Sequence, residues 1–501
     1  MRYIHCAYGA WSFLVEVETG FVREVCYGGE RLAVAIYSAV RAPDWGTYPV
    51  ALSDLRWGET WCSWWSQAEG APFGWKTEVK VDGDGFQMSI DGAPSETFQT
   101  CRTGLCLLHP LSVCGTEVMV RHVDGSEERS AFPTLVAPHQ PFMEMAGLRY
   151  TAPSGVTVDI ALEGEVFETE DQRNWSDASF KTYCHRLGDG RPYTIEAGQR
   201  VRQEVRIRCQ GEPTVSAPSG EAEAAMPALS VWLDTPTVDA LLAVREAGAS
   251  RVATDAPDVL SLAAEAGVAV DLRLPLDTLA RLKPLAAPAE GSTLWLVSDR
   301  WGAEAQEAVR RLRQEWQPLG WELGYGSSAN FAELNRSRPP RGMFHWLATA
   351  ANPQVHTFDA WSILQNAESF ADIGATMRSF AGEAGLCLGP LRFESIFTGD
   401  DPRADSPLAA AYLLLAVASI ARGGFQRVIA GTASQLLNEA SPVGAVVRDW
   451  LRASPQIVRY AVKGDLRTLQ FMGAQETRAY VVNLSPQEVE GIPPFTFREE
   501  A

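Results

Sequence analysis

Three short stretches carry the residue types that acid–base chemistry on a small polar molecule needs. The first is SSANFAELNR, residues 327–336, which sets Glu333, Asn335 and Arg336 within one short helical segment. A carboxylate there could take a proton from water, while an amide and a guanidinium polarise a carbonyl. The competing reading is structural: Glu333 and Arg336 are three apart and suit an exposed helix pair. The second stretch is ANPQVHTFDA, residues 351–360, with Asn352, Gln354, His356 and Asp359. An imidazole in a loop exchanges protons near neutral pH, which makes His356 a candidate general base. Asp359 also suits the N-cap of a following helix, a role that needs no catalysis. The third is EDQRNWSDASFKTYCH, residues 170–185, unusually polar and aromatic for a strand-rich region. Its Asp171, Arg173, Asn174, Asp177 and Lys181 either contact a ligand or lock two domains through buried, mutually satisfied ion pairs. A further carboxylate, Glu394 in LRFESIF, would pair with Glu333 if the reaction were glycoside cleavage.

Other chemistries find little support. Cys101, Cys106, His109 and Cys114 lack zinc-knuckle spacing, so no metal is expected. HExxH, Walker and GxSxG motifs are absent, and no cofactor is expected. Ser328 has no base beside it in sequence and ranks low as a nucleophile.

The elements that must position these residues follow from the hydrophobic pattern. Up to about residue 224 the chain reads as strands with glycine-rich turns. KTEVKVDGDGFQMSI is a hairpin in which Thr77, Val79 and Val81 alternate, then Phe86, Met88 and Ile90. This predicts an N-terminal β-sandwich-like domain over 1–224, ending in a linker, QGEPTVSAPSGEAEAAMP. From 225 to 452 short apolar runs alternate with helical segments about eight times. The first helix opens at TPTVDALL with Thr235 as N-cap. The count and length predict a TIM (β/α)₈ barrel, and WLDTPTVDA has no glycine for the phosphate loop of an open doubly wound sheet. A short C-terminal β segment, 453–501, completes an α/β architecture. In a barrel, reactive side chains stand at the C-terminal strand ends, where SSANFAELNR and ANPQVHTFDA both fall.

Composition narrows the partners. The 501 residues carry a formal net charge of −19, which argues against a nucleic-acid backbone or an anionic membrane as partner. No run approaches the roughly 20 apolar residues of a membrane helix, and the start reads as a strand rather than a signal peptide. Nine scattered cysteines fit reduced thiols and a cytoplasmic setting. Composition says nothing of the oligomeric state.

The strings EDQRNWSDASFKTYC, FAELNR, NPQVHTFD and VRAPDWGTYP, with TGLCLLHP and FPTLVAPHQPF, resemble the D-apionate lactonase family, in the same order and over most of the chain. The resemblance implies a β domain, a TIM barrel and a short C-terminal β domain. It also implies a small-molecule sugar lactone as partner and hydrolysis of D-apionolactone to D-apionate in apiose breakdown. The chain departs from the family pattern at SSAN, LRFESIFTGDD and IAGTASQ, all at the expected barrel mouth. Two other functions remain open: a glycoside hydrolase using Glu333 and Glu394, and a non-catalytic sugar-acid binding protein.

Overall fold

A computed structural model describes residues 2–83, 85–214, 219–394 and 399–500. It divides into two compact units, one of residues 1–172 with 179–216, the other of residues 173–178 with 217–501. Residues 173–178 join two strands of the first unit yet belong to the second.

The first unit is a sixteen-stranded, antiparallel, sandwich-like sheet. Its organising force is alternation. In the hairpin Phe73–Asp82 and Gly85–Pro94, Thr77 faces Ile90, Val79 faces Met88 and Val81 faces Phe86, and all six are buried. Period-two burial of this kind pins the register, because a one-residue slip would turn every apolar side chain to water. The five apolar residues among them join one core with Trp11, Trp75, Leu148 and Ile207. The strands Phe167–Asp171 and Ser179–Cys184 are also antiparallel neighbours.

In the second unit eight parallel strands close a barrel: Ala228–Trp232, Arg251–Thr254, Ala269–Pro275, Thr293–Val297, Glu322–Gly326, Trp346–Ala351, Gly385–Leu391 and Arg427–Thr432. Ala253, Trp295, Ala348, Cys387 and Ile429 pack in its interior. Towards the N-terminal strand ends the filling is charged. Asp271, fully buried, accepts from Ser230 Oγ, from Trp295 Nε1 (3.1 Å) and from Arg251 and Arg427 (3.3 Å each). Arg427 also donates to Thr293 at 2.6 Å and to Glu322 at 3.0 Å. Buried charges persist only when paired in this way.

Two local expectations are corrected. The first barrel helix, Val238–Glu246, is capped by Thr237, whose hydroxyl accepts from Ala240 N, and not by Thr235. The cap must lie three residues before the amide it satisfies, and Thr237 has that spacing. The expected linker contains a strand: Ser219–Ala225 pairs antiparallel with Ile457–Lys463 in a five-stranded sheet completed by Leu466–Met472, Thr477–Asn483 and Phe497–Glu500, while residues 215–218 of that stretch lie outside the described residues. Alanine and glutamate have low strand propensity, so the order of EAEAA comes from a partner more than 200 residues away, which local pattern cannot reveal.

Candidate active site

The loop after the sixth barrel strand is built by its polar residues. Pro353 blocks an immediate helix, and Asn352 Oδ1 accepts from Gln354 N at 3.1 Å to form a tight turn. Asn352 Nδ2 donates to the Glu394 carbonyl at 2.6 Å, tying this loop to the end of the seventh strand. Asp359 ends the loop as N-cap of the helix Ala360–Asn366, accepting from Ser362 N at 2.9 Å.

Held between these anchors, His356 meets residues 173–178. Its Nδ1 lies 2.6 Å from Asp177 Oδ2, and its ring stands edge-on to Trp175 at 6.1 Å between centroids. The Arg336 guanidinium sits over the same indole at 5.4 Å. An imidazole and a guanidinium are thus gathered around one tryptophan. The His356 side chain is 17% exposed and that of Asp177 5%, so the imidazole reaches water while the carboxylate is sheltered. Asp177 Oδ1 accepts from Asn366 Nδ2 at 3.1 Å, and the same amide donates to Pro353 O at 2.9 Å.

The short segment is pinned at several points. Ala178 N donates to Asn366 Oδ1 (3.1 Å), Ser369 Oγ to Ser176 O (3.0 Å), and Arg173 Nη1, fully buried, to Asp372 Oδ2 (2.9 Å). Ser176 adopts φ +68°, a left-handed conformation costing a non-glycine residue about 1–2 kcal/mol. Strain beside Asp177 is the kind of outlier that marks functional segments.

The other expected residues have defined places. Glu333 belongs to a capping box on the helix Phe331–Arg336: its Oε2 accepts from Asn330 N at 3.0 Å. Burial holds its carboxyl above the usual range, reinforced by Asp299 and opposed by the Asn330 amide and Arg336. Asn335 is buried, donating to Asn174 Oδ1 at 3.0 Å and accepting from Arg338 at 2.6 Å. In the first unit, Asp171 accepts from Ala137 N at 2.9 Å, and buried Lys181 lies 3.4 Å from Glu170. Burial pulls the Lys181 ammonium below its ordinary range. Arg173, Asn174, Asn335 and Lys181 thus each have a protein partner in place.

At the barrel mouth lies a cleft of about 580 Å³, bounded by the ends of the first, seventh and eighth strands. Trp232, Asp234, Arg392, Glu394, Tyr412 and Thr432 are among its walls. The Tyr412 hydroxyl is buried with no hydrogen-bond partner among the described residues. Burial, with the Asp177 charge, raises this phenol well above its usual range. Neither Glu333 nor His356 lines the cleft, whereas Glu394 does; Asn352 borders it through the Glu394 carbonyl. Asp234, two residues after the first barrel strand, and Thr432, the last residue of the eighth, were not among the expected site residues, although both stand at C-terminal strand ends. Asp401 also lines the cleft and is held by Arg403 at 2.6 Å, which keeps its carboxyl below the usual range. Among the described residues, no three His, Cys, Asp or Glu side chains converge to hold an ion.

Comparison with known proteins bears on this geometry. Residues 2–212 match the family model for the D-apionate lactonase N-terminal domain, and residues 285–437 match that for its TIM barrel domain. The chain belongs to the D-apionate lactonase family. It is 28% identical over 444 residues to the D-apionate lactonase of Brucella anthropi, covering 75% of this chain and 71% of that protein. Among solved structures, similarity is found to a putative aldose 1-epimerase of Escherichia coli K12 (TM-score 0.31, 10% identity, 42% of this chain and 99% of that one). A GH36 alpha-galactosidase of Geobacillus stearothermophilus also matches (TM-score 0.30, 10% identity, 96% and 91%). This family member therefore carries both the β-rich domain and the barrel in the order read from its sequence. Among its described residues no helix is long and apolar enough to cross a membrane.

Proposed function

We propose that this protein is a lactonase that hydrolyses a sugar-acid lactone, D-apionolactone to D-apionate in apiose breakdown, at the C-terminal mouth of its barrel. Family membership supports the reaction class. One structural observation carries the assignment of the base: the 2.6 Å contact between His356 Nδ1 and Asp177.

The chemistry follows from the reaction. A lactone is a cyclic ester, and water must lose a proton as its oxygen attacks the carbonyl carbon. A neutral imidazole that gives its Nδ1 hydrogen to Asp177 carries its lone pair on Nε2, the form able to take that proton. The tetrahedral intermediate bears an oxyanion, and its stabilisation is assigned here to Arg336, a reading supported by the contact that Arg336 and His356 each make with Trp175. When the intermediate collapses, the ring oxygen leaves as an alkoxide and recovers the proton from the imidazolium. The product is an open-chain hydroxy acid. Glu333, engaged as a cap, has a raised carboxyl and serves as the reserve candidate for the base.

The glycosidase reading asks Glu333 and Glu394 to face one bond, whereas the Glu333 carboxylate is engaged by the Asn330 amide at 3.0 Å as a helix cap. The test is a panel of sugar-acid γ-lactones followed by proton release at constant pH, beside p-nitrophenyl glycosides. Saturable turnover of D-apionolactone above other lactones supports the reading. Glycoside cleavage abolished by Glu394→Gln, with no lactone turnover, overturns it.

A further inference from the structure

A second surface lies in the first unit, away from its core. The strand Trp61–Ala68 sends Cys62, Trp64 and Ser66 into the interior and turns Trp61 and Trp65 outward, 43% and 41% exposed. Strands alternate faces, so Trp61, Ser63 and Trp65 form one outward row, with Trp61 and Trp65 about 13 Å apart along the strand at ~3.3 Å per residue. Opposite them on the strand Phe73–Asp82 stand Lys80, Glu78 and Lys76, and on the other side Arg56 faces Ser63. These side chains and Asp54 enclose an open trough of about 490 Å³.

Two glycines show that the indoles are seated on this face. A Cβ at Gly74 would come within 2.8 Å of the Trp65 ring, and one at Gly58 within 2.5 Å of the Trp61 ring nitrogen. Each ring therefore rests on bare backbone and presents surface to solvent. The charges between them are tied to one another: Lys76 to Glu78 at 2.5 Å, Lys80 to Glu78 at 3.3 Å, Arg56 to Asp54 at 2.8 Å.

From this pattern we infer that the Trp61–Trp65 face is a binding site for an oligosaccharide, separate from the barrel mouth. A protein partner needs a dry apolar centre from which charges are depleted. Here a charged group stands opposite each outward position along the tryptophan row, so no such centre can form. A sugar ring has the complementary character. Its C–H face settles on the electron-rich face of an indole, and its rim of hydroxyls meets ammonium and carboxylate groups. The span between the indoles selects a chain of several residues over a single sugar. The three cations outnumber the two carboxylates, so an acidic glycan is favoured over a neutral one.

The full chain is titrated with hexagalacturonate, xylohexaose and cellohexaose while tryptophan fluorescence is followed. Saturable binding is expected, strongest for hexagalacturonate and weakened by salt. Trp61→Ala and Trp65→Ala should each lower affinity at least about tenfold, with lactone turnover unchanged. Both residues are exposed, so folding should survive; Lys80→Ala, which leaves the indoles in place, should weaken the acidic probe alone. Absence of binding to all three probes overturns the inference, as does binding indifferent to both tryptophan substitutions. A change of sedimentation coefficient in Trp61→Ala/Trp65→Ala, marking the face as a contact between copies, also overturns it.

Discussion

Asp177→Asn is the most informative single change near the proposed base. Asparagine keeps the shape, so packing around a side chain that is 5% exposed should hold. What changes is the hydrogen-bond polarity. Asp177 accepts from His356 Nδ1 at 2.6 Å and from Asn366 Nδ2 at 3.1 Å. An amide has one acceptor oxygen for these two donors. If Asn366 keeps the oxygen, the new NH₂ faces His356, which must then turn its Nδ1 lone pair to it and carry its hydrogen on Nε2. That tautomer cannot take a proton from water. Loss of general-base function costs about 10²–10⁴-fold in rate, or about 3–5 kcal/mol in the barrier. The loss should fall on kcat, with KM little changed, because the interaction operates during proton transfer. Stability should fall by about 1–3 kcal/mol, the cost of one buried hydrogen bond poorly replaced. The assay is steady-state lactone hydrolysis with thermal melting of the same preparations. A kcat within about threefold of wild type, at an unchanged melting temperature, would refute the reasoning.

Two further outcomes follow from buried charge. Burial raises the Glu333 carboxyl, and a carboxyl raised on folding stabilises the fold below its unfolded pKa and loses that contribution as pH rises through the folded value. Glu333→Gln keeps an acceptor for the Asn330 amide, so the melting temperature of the variant relative to wild type should rise as pH climbs from the ordinary glutamate range of about 4; a difference flat with pH would contradict this. Asp271→Ala leaves the buried Arg251 and Arg427 guanidinium groups short of an acceptor, at about 3–5 kcal/mol, or roughly 6–20 °C in melting temperature. Calorimetry showing less than about 1 kcal/mol of loss would remove the charged barrel filling as a stabilising device.

Much of the architecture was legible because it rests on local period. Thr77, Val79 and Val81 opposite Phe86, Met88 and Ile90 could be paired by eye, and the alternation of apolar runs with capped helices announced a barrel. What local pattern hides is long-range pairing. Ala222 and Ala224 become strand residues only through Tyr460 and Val458. The stretch 170–185 stood out for its mixture of charge and aromatics. Nothing within it says that Asp177 meets a histidine 179 positions later, or that residues 173–178 group with the barrel. The capping role of Glu333 was readable from Asn330 three residues earlier, a signal that attention to its catalytic possibilities obscured. Tyr412 was unreadable: it sits in the apolar helix Pro407–Arg422, and only the fold brings it to the wall of the cleft.

The central claim is that the imidazole of His356 accepts the proton of the attacking water. The direct measurement is D-apionolactone turnover by His356→Ala, without and with free imidazole. The account predicts a fall of at least about 100-fold in kcat/KM, partly restored by added imidazole in proportion to its neutral fraction. Turnover close to that of wild type, or a loss that imidazole leaves untouched while Glu333→Gln abolishes activity, would contradict it.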